Sequence, residues 1–467
     1  MAGGGEDRIS ALPEDTLLHI VSFLPSDDAV RTSVLARRWL HLWKSARAVR
    51  VAPRKSPASR GGGGGRRTWE RWTVSTLTNF MNHLLLLRGG GGVDECDILC
   101  RELHGGGHDE ESDDLNRAAG LWIRYSLASC NARALRVCLR SSRRRLCLDG
   151  ARFAGQLLAK VELKDATFYS SSVDFSRCPA LEDLTMESCK IHVDGISSPS
   201  LKRLSIVDCH FNGGRTRTRI STPRLVWLQL SLSNGKAPIL EEMPVLEAAN
   251  VMLEGFCEDS CIHNLCKHKG YYWQRAKGSR DGCYCIDEDG NGVYLDNVSS
   301  CDSCYGSDDG GSVLLRGLTS AMDLELTSDP LVFIFRKDCR SRATFPRLKT
   351  LLLNEWCMAV DFSALLYFLE CSPNLEKLTL QLGHCDIRNS TVKTDNNFSS
   401  KEQLLVVPKQ LKTVYIQCPE ENELVKKLIM IFTTNGVHSN QIRIEQDFSP
   451  PEWSCYETDN SDHDEWL

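Results

Sequence analysis

The sequence predicts a mixed α/β fold, in which a short helical N-terminal module is followed by a solenoid with a stack of parallel strands. Two observations predict this fold. Short apolar stripes at helical spacing fill the first fifty residues, and the pattern L-x-x-L-x-L returns through much of the remainder. Steps of 20 to 24 residues separate Leu158, Leu181, Leu201, Leu225 and Leu246. These steps lie within the roughly 20–29 residues typical of leucine-rich repeats, in which each copy adds one strand to a continuous core.

Three short helices are predicted in the first fifty residues. Pro13 suits the first turn of a helix, where its missing N–H costs nothing, and two acidic residues follow it at the positive end of the helix dipole. Leu24-Pro25 ends this helix because the residue before proline disfavours the helical region. Ser26 or Asp27 is expected to cap the second helix. Apolar residues complete the three stripes: Leu17, Ile20, Val21 and Leu24; Val30, Val34 and Leu35; Trp39, Leu42 and Trp43.

This helical segment resembles an F-box, a small protein-docking module. The resemblance rests on its Leu12-Pro13 start and on its Arg37-Arg38-Trp39 ending, which Leu42 and Trp43 follow. Three short helices cannot bury so many apolar side chains among themselves, which favours packing against a partner; the alternative is a helical cap on the following domain. By position in the motif, the resemblance implies that the adaptor interface or its supporting core contains these residues: Leu12, Pro13, Leu17, Ile20, Leu24, Val34, Leu35 and Trp39.

The repeats predict short strands with one face turned inward, because apolar residues alternate at L-x-L. Recurrent Pro-x-Leu sequences place a turn before each strand. Cys189 and Cys209 occupy the ninth position of their repeats, where a cysteine or asparagine satisfies backbone groups at the turn. This position predicts a structural role for both thiols. The copies begin at Leu158, Leu181, Leu201, Leu225, Leu246, Leu348, Leu375 and Leu411, with weaker ones at Ala132 and Ala321.

Composition divides the chain into seven segments. The Gly/Arg-rich linker cannot pack a core and is expected to be mobile. Apolar residues at helical spacing from Val74 to Leu87 and a second helix over 115–129, with a polar loop over 104–114 between them, predict a helical cap on the repeats. The predicted segments are 8–48 F-box; 49–68 linker; 69–130 helical cap; 131–254 leucine-rich repeats; 255–312 cysteine-rich insertion; 313–446 C-terminal, FBD-like repeats; and 447–467 acidic tail.

These features together resemble the large plant family of F-box proteins with leucine-rich repeats, in its grass-type form. The stretch 80–87 and Trp122-Ile123-Arg124-Tyr125 are similar to that family's intermediate region. The stretches 345–351 and 371–378 are similar to its FBD region. The resemblance implies a Skp-type adaptor as partner and, through it, cullin and RING subunits of a ubiquitin ligase.

The resemblance thus implies the substrate-recognition subunit of an SCF-type ubiquitin ligase, which holds an unknown protein substrate for ubiquitination and degradation. Exposed positions beside the strand leucines are the expected substrate contacts. A non-degradative scaffold is the alternative, and a small-molecule co-receptor rests only on fold analogy. The substrate contacts predicted from the repeats are Glu182, Asp183, Lys202, Arg203, Arg224 and Trp227.

Composition argues against several other classes of protein. The net charge of −5 gives no overall attraction to nucleic acid, and no apolar run approaches the ~20 residues of a membrane span. Phosphate-loop, nucleophile-elbow and zincin motifs are absent from the sequence. We therefore expect no enzyme activity, catalytic residue or cofactor. Met1–Asp7 is not typical of a signal peptide, so the 21 cysteines are expected to be reduced, in the nucleus and/or cytoplasm.

The cysteine-rich insertion interrupts the repeats and leaves two alternatives open. Cys301-Asp302-Ser303-Cys304 has the spacing of a zinc knuckle, and the candidates for the other pair of ligands are Cys257 with Cys261, or Cys266 with His268. The spacings are irregular, however, and the flanking sequence is acidic and glycine-rich. We therefore interpret the segment as a flexible insertion with incidental thiols and no metal, and keep the zinc site as the alternative.

Overall fold

The computed structural model covers two compact units, 1–225 and 226–467. The boundary falls inside the predicted repeat segment 131–254, where the sequence pattern shows no break. The residues that the structure describes are 9, 11–52, 54–55, 69–70, 72–88, 91–103, 109–141, 144–148, 153–169, 172–211, 216–254, 257–259, 284–286, 292–294, 311–329, 332–358, 362–383 and 407–446.

The helices lie mainly at the N-terminus and between strands. No helix in the described part of the chain is both long enough and apolar enough to cross a membrane. Short 3₁₀ turns cover Thr32–Val34, Arg37–Trp39, Leu315–Leu318, Glu355–Met358 and Ser439–Gln441. The α-helices are α1 Glu14–Ser22, α2 Ser26–Arg31, α3 Leu42–Ser45, α4 Val74–Arg88, α5 Asp109–Ala128, α6 Ile334–Cys339, α7 Ser363–Cys371 and α8 Glu423–Thr434.

Parallel strands dominate the first unit. The main ladder runs β1-β4-β5-β7-β10-β13 and is parallel at every step. A second parallel ladder runs β6-β8-β11-β13, and a third runs β9-β12-β14. The strands are β1 Ala48–Val51, β2 Arg54–Lys55, β3 Trp69–Glu70, β4 Glu95–Leu103, β5 Ala134–Ser141, β6 Arg144–Cys147, β7 Lys160–Lys164, β8 Ala166–Phe168, β9 Ser172–Asp174, β10 Asp183–Glu187, β11 Lys190–Ile191, β12 Gly195–Ser197, β13 Arg203–Phe211 and β14 Arg219–Ser221.

The second unit has one main ladder, β15-β17-β20-β21-β22-β23-β24, which is also parallel throughout. With the N-terminal helices of the first unit, these ladders confirm the predicted mixed α/β class. The strands are β15 Trp227–Gly235, β16 Ile239–Leu240, β17 Ala248–Leu253, β18 Tyr284–Ile286, β19 Gly292–Tyr294, β20 Asp323–Ser328, β21 Thr350–Asn354, β22 Lys377–Gln381, β23 Thr413–Gln417 and β24 Ile442–Glu445.

Equivalent positions of the repeat pattern face one another across the ladders. Leu184 lies opposite Val161 on one side and Leu204 on the other, and all three are buried. In the second unit Leu351 lies opposite Leu324, so the weak copy that begins at Ala321 is a strand of the same kind. Equivalent apolar positions of successive repeats therefore stack on one another in the core of each unit.

In three repeats a side-chain hydrogen bond of the same kind stabilises the turn after the strand, which confirms the structural role predicted for the two cysteines. The backbone is left-handed at the eighth position of three repeats: Asp165, Ser188 and Asp208, with φ of 53°, 53° and 51°. The ninth side chain then donates to the carbonyl at the sixth position of the preceding repeat. These bonds join Cys189 Sγ to Leu163 O at 3.4 Å, Cys209 Sγ to Met186 O at 3.5 Å, and Trp356 Nε1 to Leu326 O at 2.9 Å.

Two segment predictions need correction. The segment 69–130 is more than a helical cap, because β4 lies in it and pairs with β1 and β5. The linker 49–68 is not mobile at its start, because Val49, Arg50 and Val51 belong to β1. The strand Ala48–Val51 was not predicted because it is short and the sequence that follows it is rich in glycine and arginine. Within that predicted linker, residues 53 and 56–68 lie outside the described part of the chain, as does the acidic tail 447–467.

Some helix details also differ from the sequence prediction. Neither Ser26 nor Asp27 caps α2, because the helix begins at Ser26 itself after Pro25. Helix α5 begins at Asp109, six residues before the predicted start, so part of the predicted polar loop is helical. Leu87 and Leu121, predicted as apolar helix positions, are exposed, because each lies on the solvent side of its helix.

The buried thiols lead to a testable prediction. Burial raises the pKa of Cys96 and that of Cys100, each to about 12, so both remain protonated at pH 8. Because the thiolate is the nucleophile, this shift lowers the reactive fraction by ~10³. Native protein treated with iodoacetamide at pH 8 should leave both residues unmodified by mass spectrometry, whereas the urea-unfolded chain should be labelled at both. Equal labelling in the two states would contradict the burial of these two β4 side chains.

Candidate docking surfaces

The eight residues predicted for the adaptor interface divide into core and surface. Leu17 and Trp39 are buried, at 0% and 6% exposure, so they support the helices and do not face a partner. Val34 and Leu35 are 85% and 67% exposed. Both lie at the 3₁₀ turn that follows α2, where the sequence pattern predicted part of a buried stripe. Of the remaining four, Pro13 and Ile20 are exposed, while Leu12 and Leu24 are half-buried.

Three further apolar side chains of the same region are exposed and were missed by sequence reasoning: Ile9 at 58%, Phe23 at 67% and Leu40 at 49%. Phe23 follows the last residue of α1, and the His19 ring meets its edge at 4.8 Å between centroids. The spacing of apolar residues could not identify them, because it shows which face of a helix is apolar but not whether that face is buried in the fold. We call the six strongly exposed apolar residues the docking set: Ile9, Ile20, Phe23, Val34, Leu35 and Leu40.

Polar contacts fasten α1 and α2 to the first strand. The backbone N–H of Arg50 in β1 donates to Ser26 Oγ at 2.9 Å, and its guanidinium donates to the Ser22 carbonyl. The Arg47 N–H donates to Ser22 Oγ at 3.0 Å. Ser26 thus serves as an acceptor for β1, which explains why a residue typical of a cap begins the helix instead.

A buried arginine fastens α3 to α4. Arg88, the last residue of α4, is 6% exposed and donates to the carbonyls of Trp43 at 3.1 Å and Ala46 at 2.5 Å. Burial lowers the pKa of this guanidinium. Hydrogen bonds offset the cost of burying a cation, and here Nη1 and Nη2 donate to carbonyls at the end of α3, while Nε has no hydrogen-bond partner among the described residues. The N-terminal helices are therefore attached to β1 and α4, with no free joint at residue 49.

Ion pairs cover the strand face of the first unit. In register, Arg50 lies opposite Asp97, and Asp97 lies opposite Arg136. Asp97 Oδ2 is 3.4 Å from Arg50 Nε and 3.2 Å from Arg136 Nη1. The ladder continues to Glu162, 3.6 Å from Arg136 Nε. Burial raises the pKa of Asp97, and the two arginines oppose that shift.

The predicted substrate contacts of this unit also pair with each other. Lys202 Nζ lies 2.7 Å from Glu182 Oε1, and Arg203 Nη2 lies 2.6 Å from Asp183 Oδ2. These charges are exposed or half-buried, so each pair contributes little to stability. A ligand that used these charges would first have to separate them. Arg224 in this unit and Trp227 in the second are exposed, as predicted.

The zinc hypothesis cannot be followed through the structure. The described residues do not include Cys261, Cys266, His268, Cys301 or Cys304. Cys257 is buried, and its Sγ lies 3.8 Å from Asp259 Oδ2. Across the described ranges, no three histidine, cysteine or acidic residues converge to hold a metal ion. The zinc site therefore stays a prediction.

Comparison with known proteins agrees with the geometry of the N-terminal helices. Residues 9–48 match the family model of the F-box domain. The rice meiotic F-box protein (Oryza sativa subsp. japonica) is 29% identical over 405 residues, which cover 85% of this chain and 75% of that protein. An Arabidopsis thaliana F-box/FBD/LRR-repeat protein is 27% identical over 52% of this chain and 60% of its own length.

One further relative is more similar over a short stretch. An Arabidopsis thaliana FBD-associated F-box protein is 66% identical over 41 residues, which are 9% of each chain. The chain carries an F-box domain, and its relatives are plant proteins named for the F-box, the FBD region and leucine-rich repeats.

Proposed function

We propose that this protein is the substrate-recognition subunit of an SCF-type ubiquitin ligase, without a catalytic site of its own. The docking set carries the proposal. Six large apolar side chains on a forty-residue helical segment remain exposed, although the same segment buries Leu17 and Trp39 completely or nearly so. Exposed apolar surface of this kind is typical of a protein interface. F-box domains generally bind Skp-type adaptors, and through that adaptor this chain would join cullin and RING subunits.

We infer that the parallel ladders form a leucine-rich-repeat array that holds the protein substrate. In this arrangement the ligase acts by proximity, because a bound target lysine has a high effective concentration at the ubiquitin-loaded enzyme. The contacts of Arg50 and Arg88 support a fixed attachment of the F-box to the first strands of the array. Reach would then be set by this attachment and not by a mobile linker.

Adaptor binding by an interface variant tests the proposal. Leu12→Ala combined with Pro13→Ala removes an apolar anchor at the start of α1. Truncation of an interface hot spot costs ~2 kcal/mol or more, which is about thirtyfold in affinity. A pull-down with purified Skp-type adaptor should therefore recover the wild type and lose the double variant. Lys426→Ala, on an exposed position of α8, is the matched control and should bind as the wild type does.

The outcomes separate the proposal from its alternative. Unchanged binding of the Leu12/Pro13 variant would reject these two residues as interface anchors. Failure of both wild type and variant to bind would favour the non-degradative scaffold, in which the repeats act as an interaction surface without a ligase. In that case the zinc content of the intact protein would be the next measurement.

A further inference from the structure

The strand faces of the two units differ in how their charges are satisfied. In the first unit, every described cation on the solvent-facing side of the main ladder has a carboxylate partner. These pairs are Arg50–Glu95, Arg136–Asp97, Arg140–Asp165, Lys160–Glu162, Lys164–Glu187 and Arg203–Asp183. The positive charges on this face of the first unit are therefore neutralised by carboxylates of the same unit.

The corresponding face of the second unit has two acids on β20 and cations on β22 and β24, and these particular acids and cations form no ion pairs in the described part of the chain. Asp323 and Glu325 point outward from β20, and both are exposed. Their hydrogen bonds go to neutral groups: Thr350 donates to Asp323, and Asn250 Nδ2 donates to Glu325 Oε2 at 2.5 Å. Among the described residues, neither carboxylate forms an ion pair with a lysine or arginine.

The cations lie at the other end of this face, around one tyrosine. Lys377 Nζ lies 4.8 Å from the centroid of the Tyr415 ring, and Arg443 Cζ lies 5.7 Å from the same centroid. Arg443 Nη1 also approaches the Tyr415 hydroxyl at 3.4 Å. Neither cation forms an ion pair with a described carboxylate, and nearby Glu445 accepts from Gln417 Nε2 at 2.8 Å. Two like charges around one ring favour an anion between them.

Uncharged side chains lie between the acidic and the basic positions of this face. In register, Glu325 lies opposite Leu352, and the row continues through Thr379 and Tyr415 to Arg443. Alternate residues of a strand share one face, so these five side chains project to the same side. An acid, an apolar or neutral stretch and a cation therefore follow one another across five adjacent strands.

We propose that this face binds an extended peptide segment that carries one basic and one acidic side chain. The basic group lies over Asp323 and Glu325, and the carboxylate or phosphate of the acidic group lies over Lys377 and Arg443. The inference rests on the proposed function, because it describes the substrate that the receptor would hold. Electrostatic complementarity of this kind supplies specificity and orientation more than affinity.

The strand spacing fixes the separation of the two charges in the ligand. Neighbouring strands are about 4.8 Å apart, so Asp323 and Lys377, two strands apart, are separated by about 10 Å. Glu325 and Arg443, four strands apart, are separated by about 19 Å. An extended peptide advances by about 3.3 Å per residue, so the two charged residues should be about three to six positions apart.

Synthetic peptides test this arrangement on the full chain. Fluorescein-labelled ten-residue peptides would carry one lysine and one glutamate in a background of alanine, serine and leucine. Fluorescence anisotropy should show at least tenfold tighter binding when the charges are four or five residues apart than when they are adjacent. A phosphoserine version identifies whether carboxylate or phosphate is preferred, and higher ionic strength should weaken both.

Charge reversal on the protein supplies the second arm of the test. Lys377→Glu with Arg443→Glu should weaken binding of the spaced peptide at least tenfold. Lys409→Glu with Lys426→Glu, the same change in net charge at two exposed positions outside the strands, should leave it unchanged. Binding that ignores charge spacing, or that survives the double reversal, would overturn the inference. Adaptor binding is measured on the same variants and should not change. Wild-type protein that fails to bind adaptor would reject the proposed function, while charge-indifferent peptide binding would reject only this inference.

Discussion

Replacement of Val34 and Leu35 by aspartate should abolish adaptor binding without unfolding the protein. Both side chains are exposed in the free chain, at 85% and 67%, so surface carboxylates there should change folding stability by only ~0.5 kcal/mol. In a complex, the same carboxylates would be buried without partners, which costs ~3–5 kcal/mol. Calorimetric titration with purified adaptor should show an affinity loss of at least ~100-fold, with an unchanged melting temperature.

A core substitution in the same domain provides the contrast. Leu17→Ala removes a side chain that is 0% exposed, and truncation of a buried leucine costs ~2–5 kcal/mol of folding stability. This variant should therefore lose adaptor binding together with its helical structure, as followed by circular dichroism. Adaptor binding that survives in the folded Val34/Leu35 variant would place the interface on another surface.

Asp338→Ala should produce a large loss of stability in the second unit. The carboxylate is 2% exposed and accepts three backbone N–H groups, from Val313 at 2.9 Å, Leu314 at 2.6 Å and Leu315 at 2.8 Å. Ser312 Oγ donates to it as well, at 2.9 Å. Removal of the carboxylate leaves several buried donors unsatisfied, each at ~1–3 kcal/mol, so we expect a total loss of about 4 kcal/mol.

The position of Asp338 explains why its removal should destabilise the second unit. The segment that it holds follows the cysteine-rich insertion and leads into β20, which pairs in register with β17 although the insertion separates the two strands along the chain. Differential scanning calorimetry should show a fall of ~8–16 °C in melting temperature for the alanine variant. Asp338→Asn keeps one acceptor oxygen and should lose less. Equal melting of wild type and Asp338→Ala would contradict the anchoring role.

Much of the fold could be predicted from sequence because every repeat must bury apolar residues at the same positions. Each L-x-x-L-x-L copy needs inward leucines, and Leu184 or Leu351 can be placed in register without coordinates. Strand β4 was missed because long helices separate it from β1 and β5, so no regular step marks it. The early start of α5 at Asp109 was missed because its first turns are polar and lack an apolar stripe.

The docking surfaces were only partly predictable, for a different reason. The F-box pattern identifies apolar residues but does not separate Leu17, which supports the helices, from Val34, which faces solvent. Charges on the strands were equally ambiguous in sequence. Arg203 was predicted as a substrate contact and is paired with Asp183, whereas Lys377 and Arg443 were not singled out and carry no ion pair among the described residues. Whether two charged residues form an ion pair depends on the register of strands that are far apart in sequence, and this register cannot be read from a single sequence.

Assembly with the adaptor and a cullin is the decisive test of the proposed ligase function. Purified wild-type protein would be mixed with Skp-type adaptor and the N-terminal half of a cullin, and the mixture analysed by size-exclusion chromatography with light scattering. We expect a single species with one copy of each chain, and we expect the Val34/Leu35 aspartate variant not to form it. Elution of the folded wild-type protein alone, with adaptor and cullin in a separate peak, would contradict the ligase function and leave the scaffold as the surviving explanation.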